Sequence, residues 1–168
     1  RRNENKPAMT STTSPYAAPL ESEDLRMMAA ALREARAAFD ADEVPIGAIV
    51  AAEGRIIGRG HNLTETLRDV TAHAEMQAIT AAAATLGGKY LQKCTLYVTV
   101  EPCLMCAGAI AWSQIGRLVY GAADPRRGYT VLTRGADRPV LHPSTVVRSG
   151  VLAEEAAELV RAFFMSKR

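Results

Sequence analysis

The chain has 168 residues, of which 48% are hydrophobic and 23% are charged, so it fits one folded domain with a real core and leaves little room for two. The net charge of +2 argues neither for nor against an acidic partner. No stretch approaches the roughly 18 to 20 uninterrupted apolar residues of a membrane helix, so we expect no membrane-spanning helix and no membrane partner.

Residues 1–20 are rich in proline, asparagine, serine and threonine and contain few apolar side chains. Packing of such a segment offsets little of the conformational entropy that ordering would cost. We therefore expect a flexible N-terminal tail over residues 1–20, followed by one folded domain over residues 21–168.

The first elements follow from apolar spacing. Ser22 is a capping residue, and apolar side chains recur at three- and four-residue steps from Leu25 to Phe39, which predicts an amphipathic helix that ends near Asp40. Two apolar runs, 44–51 and 55–58, flank a turn at residues 53–54 and predict a β-hairpin.

The rest of the chain alternates between helices and strands. Thr71 is expected to cap a helix that runs through His73 to the stop at residues 87–88, and Pro102 is expected to open another helix. Further strands are predicted at 95–100, 117–121 and 145–148, with a last helix from Ala153 to about Met165. This alternation predicts a three-layer α/β domain.

The most informative motif is His73-Ala74-Glu75, which is followed later in the chain by Pro102-Cys103-Leu104-Met105-Cys106. His73, Cys103 and Cys106 provide three metal ligands and no fourth. A structural zinc site closes with four protein ligands, whereas a catalytic site keeps one position for water. This pairing is the signature of zinc nucleobase deaminases, so we predict one Zn²⁺ per subunit and a hydrolytic deamination.

Glu75 is the candidate catalytic residue. It lies two positions from His73, not four, so its carboxylate can face the attacking water without binding the metal. We expect Glu75 to take a proton from this water, to deliver it to the ring nitrogen beside the amino-bearing carbon, and later to help ammonia leave.

A structural zinc ion in an RNA-binding protein is the alternative of a different class. It needs a fourth ligand, and Cys94, His61 and His142 are the other cysteine and histidines of the chain. Three cysteines are an odd number, and two of them stand at metal-ligand spacing. This usage favours a reducing compartment over a disulfide framework and predicts a cytoplasmic protein.

With these motifs, the chain resembles the bacterial tRNA-specific adenosine deaminases of the cytidine deaminase-like superfamily, which convert the wobble adenosine of a tRNA anticodon to inosine. The resemblance spans about residues 25–165. Besides the zinc motif it rests on residues 43–48, 60–62, 96–101, 120–122 with Asp124, and 141–143. It implies an α/β/α fold with a mixed, largely parallel five-stranded sheet, a zinc deaminase domain over residues 21–168, and a homodimer.

The resemblance also implies how the substrate is held. Asn62 is expected to hydrogen-bond the target purine, Val44 and Pro45 to form a pocket wall with Ala74 nearby, and Asp124 to lie beside the nucleotide's sugar. The implied partner is a tRNA, and the implied target is the anticodon loop of an arginine tRNA. A free-base or nucleoside deaminase, such as a guanine deaminase, is the alternative within the superfamily.

Basic residues near the end of the chain are candidate phosphate contacts. Residues 117–148 contain six arginines and two aspartates, a local positive excess that fits an anionic partner. The candidates are Arg126, Arg127, Lys167 and Arg168, with Phe163 or Phe164 expected to pack beneath them. The apolar residues of the helix after Pro102, which are Leu104, Met105, Ile110 and Trp112, support the dimer only weakly, because they must also serve the core.

Overall fold

The structure is a computed structural model, and it describes residues 22–168. The tail predicted over residues 1–20 lies outside the described residues. The helices are α1 (Ser22–Asp40), α2 (Thr64–Leu67), α3 (Ala74–Leu86), α4 (Leu104–Trp112), α5 (Tyr129–Leu132) and α6 (Ala153–Met165). The strands are β1 (Gly47–Ala52), β2 (Arg55–His61), β3 (Thr95–Val100), β4 (Arg117–Ala122) and β5 (Val146–Arg148).

Within residues 22–168 the strands form one five-stranded sheet in the order β2-β1-β3-β4-β5. Strand β1 pairs antiparallel with both β2 and β3, while β4 pairs parallel with β3 and with β5. Four strands therefore run in one direction and β1 alone runs against them. The predicted mixed, largely parallel sheet is confirmed.

Helices cover both faces of the sheet, as the three-layer prediction requires. Side chains alternate between the two faces along each strand. Val50 and Val98 face the cluster that contains the alanines of α3 and α4. Ile49 and Tyr97 face the methionines and alanines of α1. Helix α6 packs on the same side as α1 through Ala156. In residues 22–168, no helix has the length and apolar content needed to cross a bilayer.

Two predicted helix starts are wrong by a few residues. Thr71 does not cap α3, because both its backbone N–H and its hydroxyl are bonded to the Asp69 side chain, at 2.8 and 2.7 Å. Instead His73 takes the extended cap position and the helix begins at Ala74. Likewise Pro102 lies outside α4, and Cys103 is the extended residue at its cap.

A glycine lets α3 approach the hairpin closely. A side chain at Gly60 would place its Cβ 2.5 Å from the carbonyl oxygen of Ala74, in the first turn of α3. Only a residue without a side chain allows this distance. As a result, the end of β2 and the start of α3 lie side by side, and the loop after β2 reaches the site described next.

Candidate active site

The three predicted metal ligands converge where α3 and α4 begin. Their ligand atoms all lie within 4.8 Å of one another. The Nδ1 atom of His73 is 3.6 Å from the sulfur of Cys103 and 3.4 Å from the sulfur of Cys106. His73 and Cys103 are the cap residues of the two helices, and Cys106 lies in the first turn of α4. The positive ends of both helices therefore face the group.

The charges of these groups fit a divalent cation. A hydrogen bond with Cys106, together with one from His73, lowers the pKa of Cys103 to about 4. The same bond with Cys103 and the burial of the thiol raise the pKa of Cys106 above its ordinary value. Two thiolates so close together repel each other unless a cation offsets their charge. Two sulfurs and one imidazole nitrogen are also ligands that zinc prefers.

Glu75 lies directly beside this group. Its side chain is buried, since the residue is only 4% exposed, yet it lines a cavity together with His73. Burial raises the pKa of Glu75, because the charged form loses its hydration, and a hydrogen bond from its own backbone N–H opposes that shift. A carboxylate with a raised pKa is suited to accept and to return a proton near neutral pH.

The cavity beside the three ligands has a volume of about 410 Å³, enough for a nucleoside-sized group. Among the residues predicted to touch substrate, Val44, Asn62, Ala74 and Asp124 line it. Pro45 does not: it is buried, while its neighbours Val44 and Ile46 face the cavity. The Ile46 N–H donates to the carbonyl of Val44 at 2.8 Å, which forms a γ-turn centred on Pro45, so the wall uses the residues flanking Pro45.

Asn62 and Asp124 each line the cavity and also hold a turn. The Asn62 side-chain oxygen accepts a hydrogen bond from the Thr64 backbone N–H at 3.2 Å. The Asp124 carboxylate accepts bonds from the backbone N–H groups of Arg126 and Arg127, at 2.9 and 3.0 Å. Their side chains are therefore fixed in orientation before any substrate arrives, which lowers the entropy cost of binding.

Sequence reasoning missed one carboxylate of the site, Glu101. It is 5% exposed and lines the same cavity. Its carboxylate is bonded to the backbone N–H and the hydroxyl of Thr130, at 3.2 and 2.9 Å. The sequence signal was a carboxylate at the end of a buried strand, two residues before the first cysteine ligand.

The basic residues predicted to contact phosphate lie in different surroundings. Arg127 lines the cavity and Arg126 is exposed. Lys167 forms an ion pair with Asp42, and its ammonium group lies 5.3 Å from the centre of the Phe163 ring. Arg117 and Arg148, which contribute to the local positive excess, both pair with the buried carboxylate of Asp24.

The aromatic pair is placed as expected, with one difference. Phe163 is 6% exposed and packs edge to face against Phe39, with the ring centres 5.8 Å apart. Phe164 is 51% exposed and reaches the cavity. Phe163 therefore supports the end of α6, while Phe164 contributes an aromatic surface at the opening.

The other histidines and cysteine do not join the metal group. His61 is 3.1 Å from the carboxylate of Glu34, and His142 is 2.7 Å from the hydroxyl of Ser144. Cys94 is a buried free thiol. Across residues 22–168, the group contains His73, Cys103 and Cys106 without a fourth histidine or cysteine ligand. Three ligands, a buried carboxylate and an adjoining cavity define a hydrolytic deaminase of the cytidine deaminase-like superfamily.

Comparison with known proteins places the chain within that class. A family model described as MafB19-like deaminase matches residues 22–167. A tRNA-specific adenosine deaminase of Agrobacterium fabrum is 47% identical over 147 residues, which cover 87% of this chain and 97% of the relative. A relative of the same name from Bacillus subtilis is 44% identical over 148 residues, covering 87% and 91%. The chain belongs to the tRNA-specific adenosine deaminase family.

Solved structures agree on the fold. One comes from work on A-to-I editing by tRNA:A34 deaminases at the wobble position of transfer RNA. It matches with a TM-score of 0.73 at 45% identity, and the match covers 80% of this chain and 98% of that chain. A guanine deaminase from Nitrosomonas europaea has a TM-score of 0.71 at 27% identity, covering 96% and 98%. The two neighbours are about equally similar in shape, so sequence identity separates them.

Proposed function

We propose that this protein hydrolyses the wobble adenosine of a tRNA anticodon to inosine, with release of ammonia. The observation that supports this proposal most directly is the group formed by His73, Cys103, Cys106 and the buried Glu75, which lies beside a cavity of about 410 Å³. Relatives named for this activity match the chain at 44–47% identity over most of its length. Guanine deaminase neighbours support the same chemistry at lower identity.

The reaction replaces the amino group of adenine with an oxygen atom from water. His73, Cys103 and Cys106 would hold one zinc ion per subunit, which supplies the Lewis acidity that lowers the pKa of a water molecule toward neutrality. Glu75 accepts a proton from the attacking water and passes it to N1 of the purine. Glu75 then takes the remaining proton from the oxygen now bonded to the ring carbon and gives it to the departing amino group, so that water and adenosine give inosine and ammonia.

The walls of the cavity are assigned to substrate binding. Asn62 hydrogen-bonds the purine, because an amide offers both a donor and an acceptor to adenine. Val44 and Ala74 pack against the ring, and Asp124 lies beside the sugar. The anticodon loop presents an unpaired base that can be splayed out into such a pocket. An arginine tRNA is the proposed substrate, and the cytoplasm the proposed location.

The proposed active form is a homodimer, with a deaminase domain over residues 21–168. Helix α4 buries Ile110 but leaves a row of apolar side chains on its outer face: Leu104 is 45% exposed, Met105 is 37% exposed and Trp112 is 85% exposed. An apolar patch of this kind is typical of a surface that binds another protein. A second copy of the chain would cover it.

A substrate comparison tests the proposal. An anticodon stem-loop RNA, free adenosine, guanine and cytosine are each incubated with the zinc-loaded protein, and inosine or released ammonia is measured. The stem-loop should react far faster than free adenosine, because contacts on either side of the base add binding energy that a nucleoside lacks. Fast deamination of free guanine, with no inosine formed in RNA, would contradict the proposal and favour a guanine deaminase.

A further inference from the structure

A buried carboxylate outside the proposed catalytic group, that of Glu101, accepts hydrogen bonds from residues of a single loop. Glu101 directly follows β3 and stands two residues before Cys103. One of its oxygens accepts bonds from the N–H and hydroxyl of Thr130, and the other accepts a longer bond of 3.4 Å from the N–H of Asp124. Both donor residues belong to residues 124–130, which we call the rim loop. This buried charge takes hydrogen bonds from the two ends of the rim loop.

Backbone contacts bring the rim loop to the same place. The N–H of Tyr129 donates to the carbonyl of Pro102 at 2.9 Å, and Gly128 forms a bridge with Cys103. A side chain at Gly128 would collide with the carboxylate of Glu101, so the close approach requires glycine. The rim loop is therefore attached to the segment that carries a metal ligand.

The attachment extends to the cavity opening through Asp124. The Asp124 N–H is held by Glu101, and the Asp124 carboxylate holds the N–H groups of Arg126 and Arg127. Asp124 and Arg127 both line the cavity. A chain of hydrogen bonds thus leads from Glu101 to the position of a cation at the rim, where RNA phosphates would pass.

We propose that Glu101 is a positioning residue for the RNA substrate. It fixes the rim loop relative to the metal ligands, and thereby holds Asp124 and Arg127 where they can contact the nucleotide bound in the cavity. The proposal rests on the proposed function, because it assigns a role in RNA binding. Glu101 itself transfers no proton. Its carboxylate is already bonded to the rim loop and acts through Asp124 and Arg127.

A double-mutant cycle separates this role from general stability. Glu101→Gln keeps the shape but puts an amide NH₂ where one of the two carboxylate oxygens accepts a bond. It should raise the KM for an anticodon stem-loop about tenfold, with a smaller change in kcat, since a hydrogen bond to a charged group is typically worth about a tenfold change. Arg127→Ala should raise KM by about the same factor.

If Glu101 acts through Arg127, the two effects overlap, and the double variant should show a KM only about tenfold to twentyfold above the parent. Independent effects would multiply to about a hundredfold and would overturn the proposal. Glu43→Gln is the matched control. Glu43 is also buried and accepts backbone N–H bonds from Glu65 and Thr66, but it does not line the cavity. Its effect should multiply with that of Arg127→Ala.

Hydrogen exchange tests the attachment without any activity. Glu101→Gln should speed amide exchange in residues 124–130 and leave α3 unchanged; unchanged exchange in the rim loop would overturn the proposal. If the parent forms no inosine in RNA, the proposed function fails, and this exchange result alone decides whether Glu101 holds the loop. Should Glu101→Gln not fold, Thr130→Val removes one donor to the same carboxylate, and it should speed rim-loop exchange and fail to multiply with Arg127→Ala.

Discussion

Replacing Glu75 with glutamine removes a carboxylate from a site that has no free substitute for it. Two other carboxylates line the cavity, but Glu101 is bonded to Thr130, and Asp124 is bonded to the N–H groups of Arg126 and Arg127. Loss of a general acid or base typically costs 10² to 10⁴ in rate, and here one group serves successive proton transfers. We therefore expect Glu75→Gln to lower kcat by about 10⁴ or more, which corresponds to about 5.4 kcal/mol of transition-state stabilisation.

The assay measures inosine formed in an anticodon stem-loop under single-turnover conditions, with metal content and melting temperature recorded for each protein. Glu75→Gln should retain metal, because the three ligands are untouched, and its melting temperature should stay close to that of the parent. Glu34→Gln, a change at a partly exposed glutamate outside the cavity, is the control and should keep its activity. A rate within tenfold of the parent for Glu75→Gln would refute the proton-transfer assignment.

Three further predictions concern metal, stability and assembly. Elemental analysis should find one zinc per chain, and Cys106→Ala should lose the metal and unfold more easily; a fully active protein without metal would contradict this. Asp24→Asn should destabilise the fold by about 3 kcal/mol at pH 7 in urea titrations, because the buried carboxylate of Asp24 pairs with the partly buried Arg117 and Arg148. The hydrogen bond from Arg117 lowers the pKa of Asp24 below 3.8, so this contribution is present above that pH and is lost as the pH falls through the lower value in the folded state. A difference that does not begin to shrink as the pH falls below 3.8 would argue against it. Trp112→Glu should convert the proposed homodimer to a monomer in sedimentation experiments, and a parent protein that is already monomeric and fully active would exclude the dimer.

Local sequence patterns were sufficient to predict the elements whose formation depends on residues close together in the chain. The apolar steps of α1, the strand Thr95–Val100 and the helix from Ala153 to Met165 were all predicted, because periodicity and caps act over a few residues. The three metal ligands were predicted for a related reason: each lies at or just after a helix start, and the spacing of such residues is visible in sequence.

Contacts between distant residues were not visible. The short helices α2 and α5 were missed, since four residues carry no periodic signal. Each is held at its start by a buried carboxylate far away in the chain: Glu43 bonds Thr66, 23 residues later, and Glu101 bonds Thr130, 29 residues later. The ion pair between Lys167 and Asp42 also joins residues that are far apart in the chain, so the sequence did not show that the charge of Lys167 is already paired.

The position of the reacted base tests the central claim most directly. A transcribed arginine tRNA whose anticodon begins with adenosine is incubated with the zinc-loaded protein. Every adenosine is then read by reverse transcription, in which inosine pairs with cytidine and is therefore read as guanosine. The proposed function predicts conversion at the first anticodon position alone, with the parent protein and not with Glu75→Gln. An unmodified tRNA, together with rapid release of ammonia from free guanine, would contradict it.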